Sequence, residues 1–541
     1  MSTLFLVPPS FDGFDGGAGS RYQARREVTS FWYPTWLAQP AALVPGSKLL
    51  DCPPHHLGLH ACLEEAGHFD HVIIHTSTPS LRNDCRVAEA IKQNRPETTI
   101  GFVGAHAAVL PTETLQASPA IDWVGRKEFD FTCKEVAEGR PLASVAGLSY
   151  REPNGRIHHN PERELIPDLD ALPWVADVYR RDLRIENYFI GYLLHPYLSL
   201  YTGRGCPAQC TFCLWPQTIG GHKYRARSAA NVADEMAYMK QLFPEVKEFF
   251  FDDDTFTANL PRARDIARRL APLGLTWSCN SRANLDYDTV RSFRDAGLRL
   301  LVVGYESGNE QILKNIKKGV TLEEMRRFTK ACHQAGVSIH GTFILGLPVE
   351  TREPIEQSIR FAQELDLFSV QVSLAAPYPG TELFDMARRN GWFTTPDQTG
   401  LVEETGFQQC ALEYPGLSKE EIERMTRDAE MHAEEDRRKR ELLDARNEAD
   451  SVAWQIEKML RDAGSKISDA DKAPIQAAID KVRRAAQGDD VAAIKQAINE
   501  LTQSAQAMAQ HLQSQGGAAS ASPNGAAGGG SSGKGDDVVD A

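Results

Sequence analysis

Cys206, Cys210 and Cys213 stand in the run Arg204-Gly-Cys-Pro-Ala-Gln-Cys-Thr-Phe-Cys213, a C-x3-C-x2-C spacing that presents three thiols from one short loop. Three cysteines suit a cubane iron–sulfur cluster, because four irons with three protein ligands leave one iron open to an exogenous molecule. Other chemistries compete for the same residues. A structural zinc site takes four ligands, and His195 or His222 could supply the missing one. Free thiols buried in a core are a further alternative. A disulfide is disfavoured, since a cluster of three in a chain without a secretory signature reads as reduced.

The flanking residues narrow the choice. Phe212, just before the last cysteine, and Tyr201-Thr-Gly-Arg-Gly205, just before the first, resemble the radical S-adenosylmethionine (SAM) superfamily. The resemblance implies an enzyme whose cofactors are a [4Fe-4S] cluster held by the three cysteines and SAM on the open iron. One-electron reduction would then cleave SAM to a 5′-deoxyadenosyl radical that abstracts hydrogen from substrate. It also implies an electron donor such as flavodoxin or ferredoxin.

The elements that must position this loop are legible downstream. From about 195 to 395, strand and helix signals alternate six times, with strands at 198–202, 248–252, 276–280, 300–304, 339–344 and 370–374. Helical patterns separate them, for example 229–242 and 322–335. Six βα units predict a partial, open parallel barrel with its active site at the carboxyl ends of the strands. Each strand end resembles a superfamily landmark. By that resemblance Asp252, Asp253 and Asp254 face the amino group of SAM, Ser281 and Arg282 its carboxylate, and Glu306 its ribose and amino groups. Ile344 and Gly346, in Phe343-Ile-Leu-Gly-Leu-Pro348, would pack around adenine. A bare solvated turn is the alternative for each taken alone. Arg225 and Arg227, after the cluster loop, suit an anionic ligand or ion pairs with the barrel's acids equally well.

Before the barrel, apolar runs at 3–7, 48–51, 71–75 and 99–103, with an amphipathic helix over 81–94, predict a parallel α/β sheet. Residues 1–150 resemble the Rossmann-like cobalamin-binding domain that precedes many radical SAM domains, and cobalamin stays open as a further cofactor. The motif whose histidine ligates cobalt is absent; His55-x-x-Gly58 follows Asp51 at the wrong spacing, so no protein histidine is expected on the metal. A degenerate domain that binds nothing is the other reading. The stretch 11–20 is glycine-rich without a dinucleotide fingerprint. Arg21, Tyr22, Arg25, Arg26, Trp32, Tyr33 and Trp36 then suit a domain interface or, second, a sugar.

Composition sets the frame. The chain has 541 residues, 42% hydrophobic and 24% charged, the bulk of an ordinary soluble protein. A net charge of -14 argues against nucleic acid as a partner. No window reaches the roughly 18 apolar residues of a membrane span, and ten cysteines without a secretion signal point to the cytoplasm. A lipid substrate would be met at peripheral membrane contact.

The detailed resemblance is to the cobalamin-domain-bearing group that includes the anaerobic magnesium-protoporphyrin cyclase. The opening 8–40 looks like the hopanoid-biosynthesis radical SAM family, which implies conversion of a hopanoid-linked glucosamine head group to a cyclitol ether by radical ring contraction. Cobalamin-dependent methyl transfer, oxidative cyclisation and a non-catalytic chimera are the alternatives. From about 417 the character changes: a charged helix, further helices to about 513, and a Gly/Ser/Ala-rich tail over 514–541 that reads as disordered. Arg446-Asn-Glu-Ala-Asp450 and Asp536-Asp-Val-Val-Asp-Ala541 make this part similar to the lid and acidic tail of DnaK-type heat-shock chaperones. The expected organisation is therefore a Rossmann-like domain (1–150), a linker (151–194), the barrel (195–395), a linker (396–416), the lid-like helices (417–513) and the tail (514–541).

Overall fold

The computed structural model describes residues 2–9, 30–395, 401, 409–428, scattered helical positions between 442 and 460, and 469–517. The glycine-rich stretch 11–20, the arginines and tyrosine of 21–26, and residues 518–541 of the expected tail lie outside the described residues. The chain divides into two compact units, Met1–Ala433 and Glu434–Ala541.

The first unit contains two sheets. The N-terminal sheet has the order β2-β1-β3-β4-β5-β6-β7. Its strands are β1 (Thr3–Val7), β2 (Lys48–Asp51), β3 (His71–His75), β4 (Thr99–Val103), β5 (Trp123–Gly125), β6 (Leu148–Arg151) and β7 (Ile157–His159). Strands β1 to β5 are parallel, and β6 and β7 extend the edge as an antiparallel hairpin. Period-two alternation explains how such uniformly apolar runs are used. Phe5, Val7 and Ile73 face a core shared with the barrel. Leu4, Leu6, Val72 and Ile74 face the opposite way, with Val87, Ala88 and Ile91 of the helix Leu81–Asn94. The chain order reverses between β1 and β3, and such switch points are where doubly wound sheets bind ligands.

The second sheet is fully parallel in the order β15-β14-β13-β12-β11-β8. It comprises β8 (Tyr197–Leu200), β11 (Glu248–Phe251), β12 (Trp277–Ser281), β13 (Leu298–Glu306), β14 (Ser338–Leu345) and β15 (Ser369–Leu374), each followed by a helical layer. A two-stranded ribbon, β9 (Gly203–Arg204) with β10 (Arg225–Ala226), brackets the cysteine loop. Local signals start and stop the helices. Thr321 and Glu324 close a capping box on Leu322–Ala335, and Gly336 ends that helix in the left-handed conformation.

The stretches 151–194, 396–416 and the start of 417–513 pack as follows. The stretch 151–194 is integral to the fold. It adds β7 to the sheet, and it buries Tyr179 and Tyr188, both of which pack against Tyr33. In the stretch 396–416, the described residues Cys410, Ala411, Leu412 and Tyr414 are core, and Leu412 bridges to Phe393. A helix over 419–428 buries Ile422 and Met425 in the core of the first unit, so the compact first unit runs past 417. The second unit has a core of its own, in which Ile475, Ile479 and Val482 of the helix Asp469–Ala486 meet Ile494, Ile498 and Leu501 of Val491–Gly517. Among the described residues no helix is long and apolar enough to cross a membrane.

Candidate active site

The cysteine loop leaves the carboxyl end of β8 through a turn that only glycine fits. Gly205 has φ +82°, and a Cβ there would approach the carbonyls of Lys223, Gly221 and Gly220 at 2.6–2.9 Å. Cys206 then donates its N–H to the Gly221 carbonyl at 3.2 Å. Gln217 gathers the rest of the loop: its Nε2 donates to the carbonyls of Cys210, Thr211 and Cys213 at 3.2, 3.2 and 2.7 Å. Its Oε1 accepts the N–H of Glu382 at 2.8 Å, tying the loop to the end of the barrel. A lone glutamine in a helical turn carries no sequence signal for this role.

Cys206 and Cys210 are buried and Cys213 is partly so; all ten cysteines of the chain are free. The Cys206 Sγ lies 3.4 Å from Thr255 Oγ1, and the Cys210 thiol lies 3.8 Å from the Lys317 carbonyl. Burial pushes the Cys213 thiol well up, and Asp254, Cys210 and Cys206 add to the rise while Lys318 opposes it. Among the described residues no three His, Cys, Asp or Glu side chains converge as ligands of a single metal ion. A cubane, which spreads three thiolates over separate irons, is a group that these three cysteines would hold. The Nδ1 of His222, the proposed fourth zinc ligand, lies 3.0 Å from the Ala208 carbonyl; that of His195 lies 3.1 Å from the Tyr188 carbonyl.

Several of the residues expected at SAM stand at or near these strand ends. Phe212 and Ile344 are partly buried against the core. Asp252 accepts from Asn280 Nδ2 at 3.2 Å, and Ser281 Oγ lies 3.0 Å from Thr257 Oγ1. Glu306 is held in the left-handed region at φ +67°, unusual for a side chain of its size. Its carboxylate pairs with Lys318 Nζ at 2.8 Å, both groups being buried. Lys318 was not singled out from sequence.

Two of the expected residues have partners within the protein. Asp253 is fully buried and its carboxylate is committed to Thr202, accepting from the backbone N–H and from Oγ1 at 2.6 Å, so it fixes the end of β8. Burial raises its pKa against the pull of Arg262. Arg282 donates to the Lys318 carbonyl and so supports the 317–319 turn.

The arginines after the loop are ion-paired. Arg225 makes two bonds of 2.7 Å to Glu128, and Arg227 Nη1 lies 2.6 Å from Glu235. Arg204 binds Asp130 at 2.7 and 3.0 Å and lies over the Trp36 ring at 4.9 Å. Glu128 and Asp130 follow β5, so the N-terminal sheet grips the ribbon that carries the cysteines. The helix Ala105–Val109, which begins where β4 ends, packs against Pro216–Gly220. A Cβ on Gly380, beyond β15, would meet Val109 at 2.7 Å. The carboxyl edge of the first sheet therefore opens beside the carboxyl rim of the second. His55 has both ring nitrogens occupied: Nδ1 lies 2.7 Å from the Asp51 carbonyl, and Nε2 accepts the Arg184 N–H at 3.0 Å.

The family model described as radical SAM superfamily matches residues 200–362, and the model described as Hsp70 protein matches 402–514. An uncharacterized methyltransferase of Pyrococcus horikoshii is 33% identical over 408 residues, covering 73% of this chain and 85% of that protein. The cytidylyl-2-hydroxyethylphosphonate methyltransferase of Streptomyces wedmorensis is 29% identical over 363 residues, covering 60% of this chain and 66% of that protein. Among solved structures, the radical SAM methyltransferase TsrM from Kitasatospora setae, with cobalamin and a [4Fe-4S] cluster bound, superposes with a TM-score of 0.60. That match has 16% identity and covers 79% of this chain and 91% of the other, a likeness of fold.

Proposed function

The chain belongs to the radical SAM superfamily, with a [4Fe-4S] cluster and SAM as its cofactors, and from that premise we propose that it is a cobalamin-dependent methyltransferase of the superfamily. One observation carries the proposal: the carboxyl edge of the N-terminal sheet, just after β5, is tied by buried ion pairs to the ribbon that brackets the cysteine loop. A corrinoid on that edge would stand next to SAM on the rim. Methyl transfer also agrees with the names of the relatives above.

In this reading Cys206, Cys210 and Cys213 are the cluster ligands, and Gln217 holds their loop in shape. Asp252 and Asp254 offer carboxylates to the amino group of SAM, Ser281 a hydroxyl, and Glu306, neutralised by Lys318, an oriented acceptor. Phe212, Ile344 and Gly346 exclude water from the adenine side. When bound, the cluster supplies the electron that activates SAM, and cobalamin supplies a methyl carrier. An external one-electron donor of the flavodoxin or ferredoxin class serves the site, and a reducing cytoplasm suits its thiolates. The resemblance that pointed to a hopanoid-linked sugar rests on 8–40, of which 10–29 lie outside the described residues, and methyl transfer is the better supported chemistry.

The test is anaerobic reconstitution of the full chain with iron, sulfide and hydroxocobalamin, followed by dithionite and SAM. Cobalamin should co-elute with the protein, and S-adenosylhomocysteine should form and be lost in Cys210→Ala. SAM cleavage to 5′-deoxyadenosine alone, by protein that retains no cobalamin, would remove the methyltransferase assignment.

A further inference from the structure

Gly346 ends β14 at the rim, with φ +80°. Its N–H and that of Leu347 both donate to the Glu350 carboxylate, at 2.8 and 2.9 Å. Its carbonyl accepts the hydroxyl of buried Tyr414 at 2.8 Å. The face where its Cβ would stand is closed by Ile422, whose Cγ2 lies 3.2 Å from that point. Both polar groups of one residue, and its open face, are thus taken up by three different segments.

Two of those segments lie outside the stretch matched as radical SAM. Tyr414 and Ile422 fall within the stretch matched as Hsp70 protein, whereas Gly346 falls within the radical SAM match. Ile422 belongs to the helix over 419–428 and is fully buried. That helix and the segment leading into it are anchored independently. The Cys410 N–H donates to Glu423 at 3.1 Å, Tyr414 and Leu417 exchange backbone bonds of 3.0 and 3.1 Å, and Trp392 packs edge-on to the Tyr414 ring at 5.0 Å. An isoleucine held this firmly against a glycine resists displacement, because cores relax poorly around removed atoms.

We propose that Tyr414 and Ile422 are positioning residues for the SAM site: the chaperone-like helix fixes the height of the Gly346–Leu347 turn and thereby sets the affinity for SAM. The proposal rests on the reading of Gly346 as part of the SAM pocket. It makes the first turns of the Hsp70-like stretch a working part of the enzyme.

The test uses the full chain, reconstituted anaerobically, with SAM affinity measured by equilibrium dialysis and cluster content by iron, sulfide and visible absorbance. Ile422→Ala and Tyr414→Phe should each raise the Kd for SAM about tenfold, the effect of losing one well-packed contact or one buried hydrogen bond. Cluster content should stay at the wild-type level, and Ile422→Leu should keep the Kd within about twofold of wild type. Wild-type Kd in both variants, with the cluster intact, would overturn the proposal. Should Ile422→Ala lose its cluster, Tyr414→Phe, which keeps the ring and removes one hydroxyl, decides alone. A wild-type chain that carries a cluster and does not bind SAM would instead overturn the underlying reading of the site, and the proposal with it.

Discussion

Glu350 shows how far one buried carboxyl can govern local behaviour. It accepts two backbone N–H bonds from the turn after β14, yet burial pushes its pKa up to about 8 from 4.5. The folded chain therefore keeps a proton that the unfolded chain releases between those values. Across that window stability falls as pH rises. It is level below the lower value, where both states are protonated, and above the upper, where both are ionised. Glu350→Gln removes the slope, so its denaturation midpoint should improve relative to wild type as pH rises from about 5 to 8; a constant difference across that range would contradict the assignment. At this scale the cysteine spacing was legible because three soft ligands in eight residues have few uses. Lys318 and Tyr414 were not, since their roles arise from partners 12 and 68 residues away, and Gln217 was not, since nothing in a lone glutamine signals that its amide turns back onto the carbonyls of the cysteine loop.

The strands were the most legible elements. Parallel strands are covered on both faces, so their sequences are unbroken apolar runs, and the runs at 3–7, 48–51, 71–75 and 99–103 became β1 to β4. The hairpin β6–β7 was missed because Tyr150, Arg151, Ile157 and His158 are half-exposed and their alternation spans too few residues to stand out. The ribbon β9–β10 is two residues long and is defined by the arginines it orients. Those arginines yield an element-scale prediction. Glu128 and Arg225 form a bidentate pair, both nearly inaccessible. Removing one partner strands a buried charge and should cost about 3–5 kcal/mol, and replacing both with apolar residues should cost clearly less than the sum of the two single losses. Guanidinium denaturation of Glu128→Leu, Arg225→Met and the double variant checks this; additive losses in the double variant would refute it.

At the scale of the molecule, the composition change after 416 was visible in sequence while the true edge of the compact unit was not, because the helix over 419–428 is charged on one side and buries Ile422 and Met425 on the other. Glu434–Ala541 carries its own small apolar core. A chain ending at Ala433 should keep its cluster and cleave SAM, while one ending at Gly416 should bind SAM poorly. Equal activity of the two would show the 417–433 segment to be dispensable. The most direct test of the whole account is electron paramagnetic resonance of the full chain, reconstituted anaerobically and reduced with dithionite, before and after SAM is added. A radical SAM site should give a reduced [4Fe-4S] signal that changes shape with SAM and is absent in Cys206→Ala, Cys210→Ala and Cys213→Ala. A signal unaltered by SAM, or one that survives loss of these cysteines, would contradict that assignment.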